Sequence, residues 1–197
     1  LRRSFKVAHL VERRRSSGLG DTTALSSGGV ERRLTAGSPY GGVLLDNGPG
    51  MSEGWSCGTP VLLCWRKETG TLTSRYIDEP GWKKSISDAG KASMKVIGSG
   101  EWGVGRWWEL VESSGQFATE SGLEKDASRL EIISSVNESI SKSGLSERVS
   151  GLLCMLGESV VVVPEDPHSE GGWIDSLTEQ LGKSGLTCFS SRIGPLM

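Results

Sequence analysis

The stretch GVLLDNGPGMSEGW, residues 42–55, decides how this chain is read. A short apolar run, Val43, Leu44 and Leu45, ends on Asp46, and glycines follow at positions 48, 50 and 54. An apolar run that empties into a glycine loop predicts a buried strand and then a tight turn. In α/β proteins such a turn is where nucleotides bind. Glycine tolerates positive φ and lets a ligand approach the backbone, and the binding crevice opens at the carboxyl end of a central strand. Asp46 would then lie beneath the ligand. The same pattern also makes ordinary strand-to-helix turns, so the surrounding chain has to decide.

Further apolar runs lie downstream. PVLLCW (60–65), MKVI (94–97), LEIISSV (130–136), SVVVV (159–163) and LTCFSSRI (186–193) predict strands. SVVVV is continuous and β-branched, the pattern of a strand covered on both faces. Between these runs, RWWELVES (106–113) predicts a short amphipathic helix, and residues 114–128 a polar loop. LSERVSGLLCMLG (145–157) predicts a helix, with Leu145, Val149, Leu152, Leu153 and Leu156 on one face. Trp173, Leu177 and Leu181, spaced by four, mark another. Strand and helix thus alternate from residue 43 onward, which predicts an α/β fold with a doubly wound, mostly parallel, Rossmann-like sheet.

The amino-terminal end is different in character. The 197-residue chain carries a formal charge of −2, yet residues 1–33 hold eight Lys or Arg against three acids, leaving about −7 for the remainder. Residues 1–29 read as a basic helix followed by a Gly/Ser-rich loop, and 30–197 as the α/β domain. Arg13, Arg14 and Arg15 are either a solvated helix face or a contact to RNA, whose phosphates they would neutralise. A start at leucine points to a piece of a longer polypeptide. No apolar run is long enough to span a membrane, and the first residues are Arg-rich rather than signal-like, so a cytoplasmic, intracellular protein is expected. Cys57, Cys64, Cys154 and Cys188 have no C-x-x-C spacing and only two histidines accompany them, which predicts reduced core thiols and no metal site.

The segment GVERRLTAGSPYGGVLLDNGPGMSEGWS (29–56) resembles the S-adenosylmethionine site of the cap methyltransferase domain of flavivirus polymerase proteins, among the FtsJ-like RNA methyltransferases. The shared features are Val30, Glu31 and Arg32, then Asp46, Gly48 and Gly50, then Gly54, Trp55 and Ser56. Other motifs follow in the family's order. GLGDTTALSSGG (18–29) resembles the loop that holds the methionine carboxylate and points to Ser26; IDEP (77–80) resembles the ribose-binding segment and points to Asp78 or Glu79; MKVIGSGEW (94–102) resembles the adenine-binding segment and points to Glu101 and Trp102. The resemblance implies a Rossmann-like methyltransferase fold, S-adenosylmethionine as cofactor, capped RNA as substrate, and the other domains of a viral replication polyprotein as partners.

One element of the family is missing. Its 2′-O chemistry relies on a Lys-Asp-Lys-Glu tetrad, in which a lysine of lowered pKa helps deprotonate a ribose hydroxyl. Here the aspartate position reads Ser135, the strand expected to carry the second lysine is all valine, and no catalytic residue is identified. Three readings therefore stay open: an RNA methyltransferase, an inactive methyltransferase-like module that binds RNA or protein, and an unrelated α/β domain.

Overall fold

The computed structural model describes residues 2–15, 21–41, 47–67, 76, 78–154 and 156–194. Asp46 and the apolar run before it lie outside the described residues. The elements are α1 (Arg2–Arg15), α2 (Asp21–Ser27), β1 (Val30–Thr35), β2 (Met51–Trp55), β3 (Pro60–Trp65), α3 (Pro80–Ile97), α4 (Trp107–Glu120), α5 (Ala127–Lys142), β4 (Val149–Leu153), β5 (Ser159–Pro164), α6 (Ile174–Lys183) and β6 (Thr187–Arg192).

Among the described residues the strands form two sheets, and every pairing is antiparallel. β1 and β2 make a two-stranded sheet, while the other four lie in the order β4-β5-β3-β6. A doubly wound parallel sheet is therefore not the architecture of this chain. The apparent alternation has a specific cause. β5 and β6 are both antiparallel to β3, hence parallel to each other, and α6 joins them as in a β-α-β unit, but β3 is inserted between them. From β3 onward this is a split β-α-β arrangement of the ferredoxin-like kind.

The unbroken apolar runs reflect burial on both faces of the larger sheet, as expected, but burial says nothing of strand direction. Leu62, Cys64, Val160 and Val162 point to one side, where they pack with Ile132, Ile133, Val136 and Ile140 of α5 and with Leu177 and Leu181 of α6. Val61 and Val163 point to the other, against Trp102, Trp107 and Val111. Trp107 is fixed there by donating from Nε1 to the carbonyl of Pro164, 2.8 Å away.

Five segments differ from their predicted elements. Within the predicted Gly/Ser-rich loop, Asp21–Ser27 is helix α2. LEIISSV belongs to helix α5, begun by Asp126 as N-cap, and its buried set, 132, 133, 136 and 140, has helical spacing that a seven-residue window conceals. Residues 149–153, predicted to be helical, form β4. Gly151 permits this: a Cβ there would sit 3.0 Å from Asn137 Oδ1 and 3.3 Å from Val136 Cγ1, so the bare backbone lets α5 pack closely on the strand. MKVI ends α3, and the predicted polar loop at 114–128 is helical as far as Glu120.

Arg32 ties the small sheet to the rest. Its guanidinium donates to the carbonyls of Ile97 (2.8 Å), Ser99 (3.1 Å) and Gly100 (2.9 Å), pairs with Glu53, and lies 5.0 Å from the centre of the Trp102 ring. One side chain thus joins β1, β2 and the carboxyl end of α3.

Candidate functional site

Helices α1 and α2 enclose a cavity of about 220 Å³ lined by Ser4, Phe5, Ala8, Thr22, Leu25, Ser26 and Tyr40. Phe5 organises the α1 side. It stacks on His9 with ring centroids 5.8 Å apart and meets Tyr40 edge-on at 4.8 Å, while the Arg2 guanidinium lies over the Tyr40 ring at 5.8 Å. A polar cluster closes the junction between the helices. The buried carboxylate of Glu12 accepts from the Asp21 amide at 2.9 Å and from the Thr22 hydroxyl at 2.8 Å, and His9 Nδ1 is 3.5 Å from Thr22 Oγ1 and 3.9 Å from Glu12. The site is thus a small cavity, largely apolar, with a few hydroxyls at its wall and a positive charge at its rim.

His9, Glu12, Thr22 and Tyr40 were not singled out from the sequence as functional. The signal was the spacing of His9 and Glu12, three apart on a helix and so on one face, but the surrounding arginines make that helix read as basic and solvated.

The residues expected to hold a cofactor fall in several places. Ser26 lines the cavity, and its hydroxyl donates to the carbonyl of Thr23 at 2.8 Å. Gly48 and Gly50 serve a backbone crossing: their amides donate to Pro39 and Ser38 carbonyls at 3.0 and 3.1 Å, and a Cβ on Gly48 would sit 2.0 Å from the Ser38 carbonyl oxygen. Gly54 is held as closely against Gly28, 2.2 Å from its carbonyl oxygen by the same measure. Trp55 and Trp102 do meet, with centroids 6.3 Å apart, and Trp102 donates from Nε1 to the Val30 carbonyl at 3.0 Å. Trp55 Nε1 is buried with no hydrogen-bond partner among the described residues.

Asp78 and Glu79 precede α3, whereas Glu101 and Trp102 follow it, and an 18-residue helix separates the two pairs by about 27 Å. Glu79 is the N-cap of α3, accepting from Gly81 and Trp82 amides at 3.0 and 2.7 Å, which holds its carboxyl below the usual range. Glu101 is exposed. Arg13, Arg14 and Arg15 are exposed in the last turn of α1, where the helix dipole favours positive charge. Among the described residues no cluster of His, Cys, Asp and Glu suits a metal ion, and no helix is long and apolar enough to cross a membrane.

A second, more open cavity, of about 410 Å³, lies at the β6 edge between Pro60, Gly171, Asp175 and Ser190–Arg192. The guanidinium of Arg192 there donates to the carbonyls of Gly58 and Glu170.

No family model matches the chain, and no curated protein matches it. Among solved structures it is similar to one described as "Phosphotransferase related to CoA biosynthesis pathway", at 17% identity and a TM-score of 0.65, over 99% of this chain and 55% of that one. The chain thus spans about half the length of that protein, which is by its description an enzyme. At this identity the likeness concerns the fold. Together with the antiparallel sheets it overturns the resemblance to flavivirus-type cap methyltransferases, and with it the viral and capping functions and the inactive methyltransferase-like alternative.

Proposed function

We propose that this chain forms part of a phosphotransferase, transferring a phosphoryl group from a nucleoside triphosphate to a hydroxyl of a precursor of coenzyme A. The observation that carries the reading is the likeness in fold to a phosphotransferase of that pathway over 99% of the chain. The cavity between α1 and α2 supports it in its chemistry. Phosphoryl transfer depends on positioning and on positive charge near the phosphates. The Thr22 and Ser26 hydroxyl oxygens, whose protons go to Glu12 and to the Thr23 carbonyl, can accept hydrogen bonds from the hydroxyl of a small polar substrate. The apolar wall of Phe5, Ala8 and Leu25 suits its carbon skeleton, and Arg2 supplies positive charge at the Tyr40 rim.

The test is acceptor-dependent release of ADP from ATP, measured with hydroxyl-bearing precursors of coenzyme A, on this chain and on any longer polypeptide that carries it. The reading predicts turnover with at least one such acceptor. Thr22→Val should raise KM for the acceptor about tenfold with a smaller change in kcat, the effect of one lost hydrogen bond of roughly 1.4 kcal/mol. Folded protein that neither binds ATP nor releases ADP would overturn the reading. Turnover with KM untouched in Thr22→Val would move the acceptor away from this cavity.

A further inference from the structure

Cys64 of β3 and Cys188 of β6 stand directly opposite each other in the antiparallel register, with their sulfurs 3.9 Å apart. Opposed residues of such a pair have Cα atoms about 4.5–5.5 Å apart, within the range a disulfide spans, so closing the sulfurs to bonding distance asks for side-chain rotation and little backbone movement. The two thiols differ in environment. Cys64 is wholly buried between sheet and helices, whereas Cys188 lies on the edge strand and is half-buried. The hydrogen bond between the two sulfurs, with burial adding to it at Cys64, raises the Cys64 thiol and lowers the Cys188 thiol, so Cys188 ionises first and is the better nucleophile. Cys57 and Cys154 do not stand opposite another cysteine in the strand registers, and all four cysteines are free.

We infer that Cys64 and Cys188 form a dithiol oxidation site that takes a low-molecular-weight disulfide and closes to an intrachain bond fastening β6 to β3. The Cys188 thiolate attacks one sulfur of the small disulfide, forming a mixed disulfide and expelling one thiolate, which takes up a proton. Cys64 then loses its proton and attacks the Cys188 sulfur, and the second small thiolate leaves. Two protein thiols are oxidised, and one small disulfide is reduced to two thiols. The bond spans the chain from β3 to β6 and so restricts the unfolded state over most of its length.

Oxidised glutathione is the probe. Folded protein is incubated with it, remaining thiols are alkylated at low pH, and the peptides are mapped by mass. The expected result is a Cys64–Cys188 linked peptide, two of the four thiols lost per monomer, and a rise in Tm of about 5–15 °C that dithiothreitol reverses. Cys188→Ser should abolish the link and leave Cys64 unmodified, and Cys64→Ala should leave glutathione on Cys188. Links through Cys57 or Cys154, disulfide-bonded dimers, or four alkylated thiols in a folded protein would each overturn the inference. Because Cys188→Ser alters only the half-buried partner, it keeps the test decisive if the core variant fails to fold.

Discussion

Replacing Arg32 by Met tests how the small sheet is held to the rest of the protein. The side chain is only 4% exposed and keeps its aliphatic stem in the variant, so the perturbation falls on the guanidinium. Three backbone carbonyls and the Glu53 carboxylate lose a charged donor, and each hydrogen bond to a charged group is worth about 1.5–3 kcal/mol. The full total does not apply. Ser99 and Gly100 are exposed and their carbonyls can turn to water, and the Glu53 side chain, 42% exposed, rehydrates. What is lost outright is the Ile97 contact, part of the others, and the cation–π contact with Trp102, worth about 0.5–2 kcal/mol. A loss of about 3–4 kcal/mol follows, a large share of a typical stability of about 5–15 kcal/mol. The assay is urea unfolding followed by tryptophan fluorescence, with the m-value expected to stay constant. Glu53→Gln, at the exposed end of the pair, should cost about 1 kcal/mol or less. A loss below about 1 kcal/mol for Arg32→Met at unchanged m would refute the view that this side chain joins the elements.

Other consequences can be measured independently. The Asp126 carboxyl is held below its ordinary range, first by the Ser128 hydroxyl and then by the Tyr76 hydroxyl and the Ser128 and Arg129 amides, with burial opposing. Its folded pKa is depressed, so its stabilisation is complete above the unfolded value of about 3.9 and is lost as pH falls through the lower folded value. The Tm gap between wild type and Asp126→Asn should be constant from pH 5 to 7 and close in stronger acid; a gap that widens in acid would reverse the sign. Trp107→Phe leaves the Pro164 carbonyl without its donor and should cost about 1–3 kcal/mol in urea unfolding; a neutral result would mean that water replaces the indole. Glu79→Ala removes the cap of α3 and should speed hydrogen exchange at the Gly81 and Trp82 amides while sparing the larger sheet; unchanged exchange there would show that the cap does not hold.

The sequence carried the local structure better than the topology. PVLLCW, SVVVV and LTCFSSRI are strands, and the spacing of Trp173, Leu177 and Leu181 marks the face that α6 buries. What it lacked was direction. A strand buried on both faces has the same composition whether its neighbours are parallel or antiparallel, and the link from β5 through α6 to β6 is identical with or without β3 between them. The reversal of helix and strand at 130–157 has a local cause. Ile132, Ile133 and Val136 are β-branched yet lie on a helix, whereas Leu152 and Leu153 fit a helical face yet lie on a strand, because packing outweighs propensity in both places. The glycines at 48 and 54 drew attention as ligand contacts, and what they meet is other backbone. In the cavity between α1 and α2 only Ser26 stood out, since the polar cluster depends on two helices meeting, which no local pattern encodes.

The most direct test of the phosphotransferase reading is a calorimetric titration of the folded protein with ATP and, in parallel, with S-adenosylhomocysteine, the ligand that the sequence resemblance alone would favour. The account predicts saturable binding of the nucleotide and no heat from the methyltransferase ligand. Saturable binding of S-adenosylhomocysteine with none of ATP would contradict it.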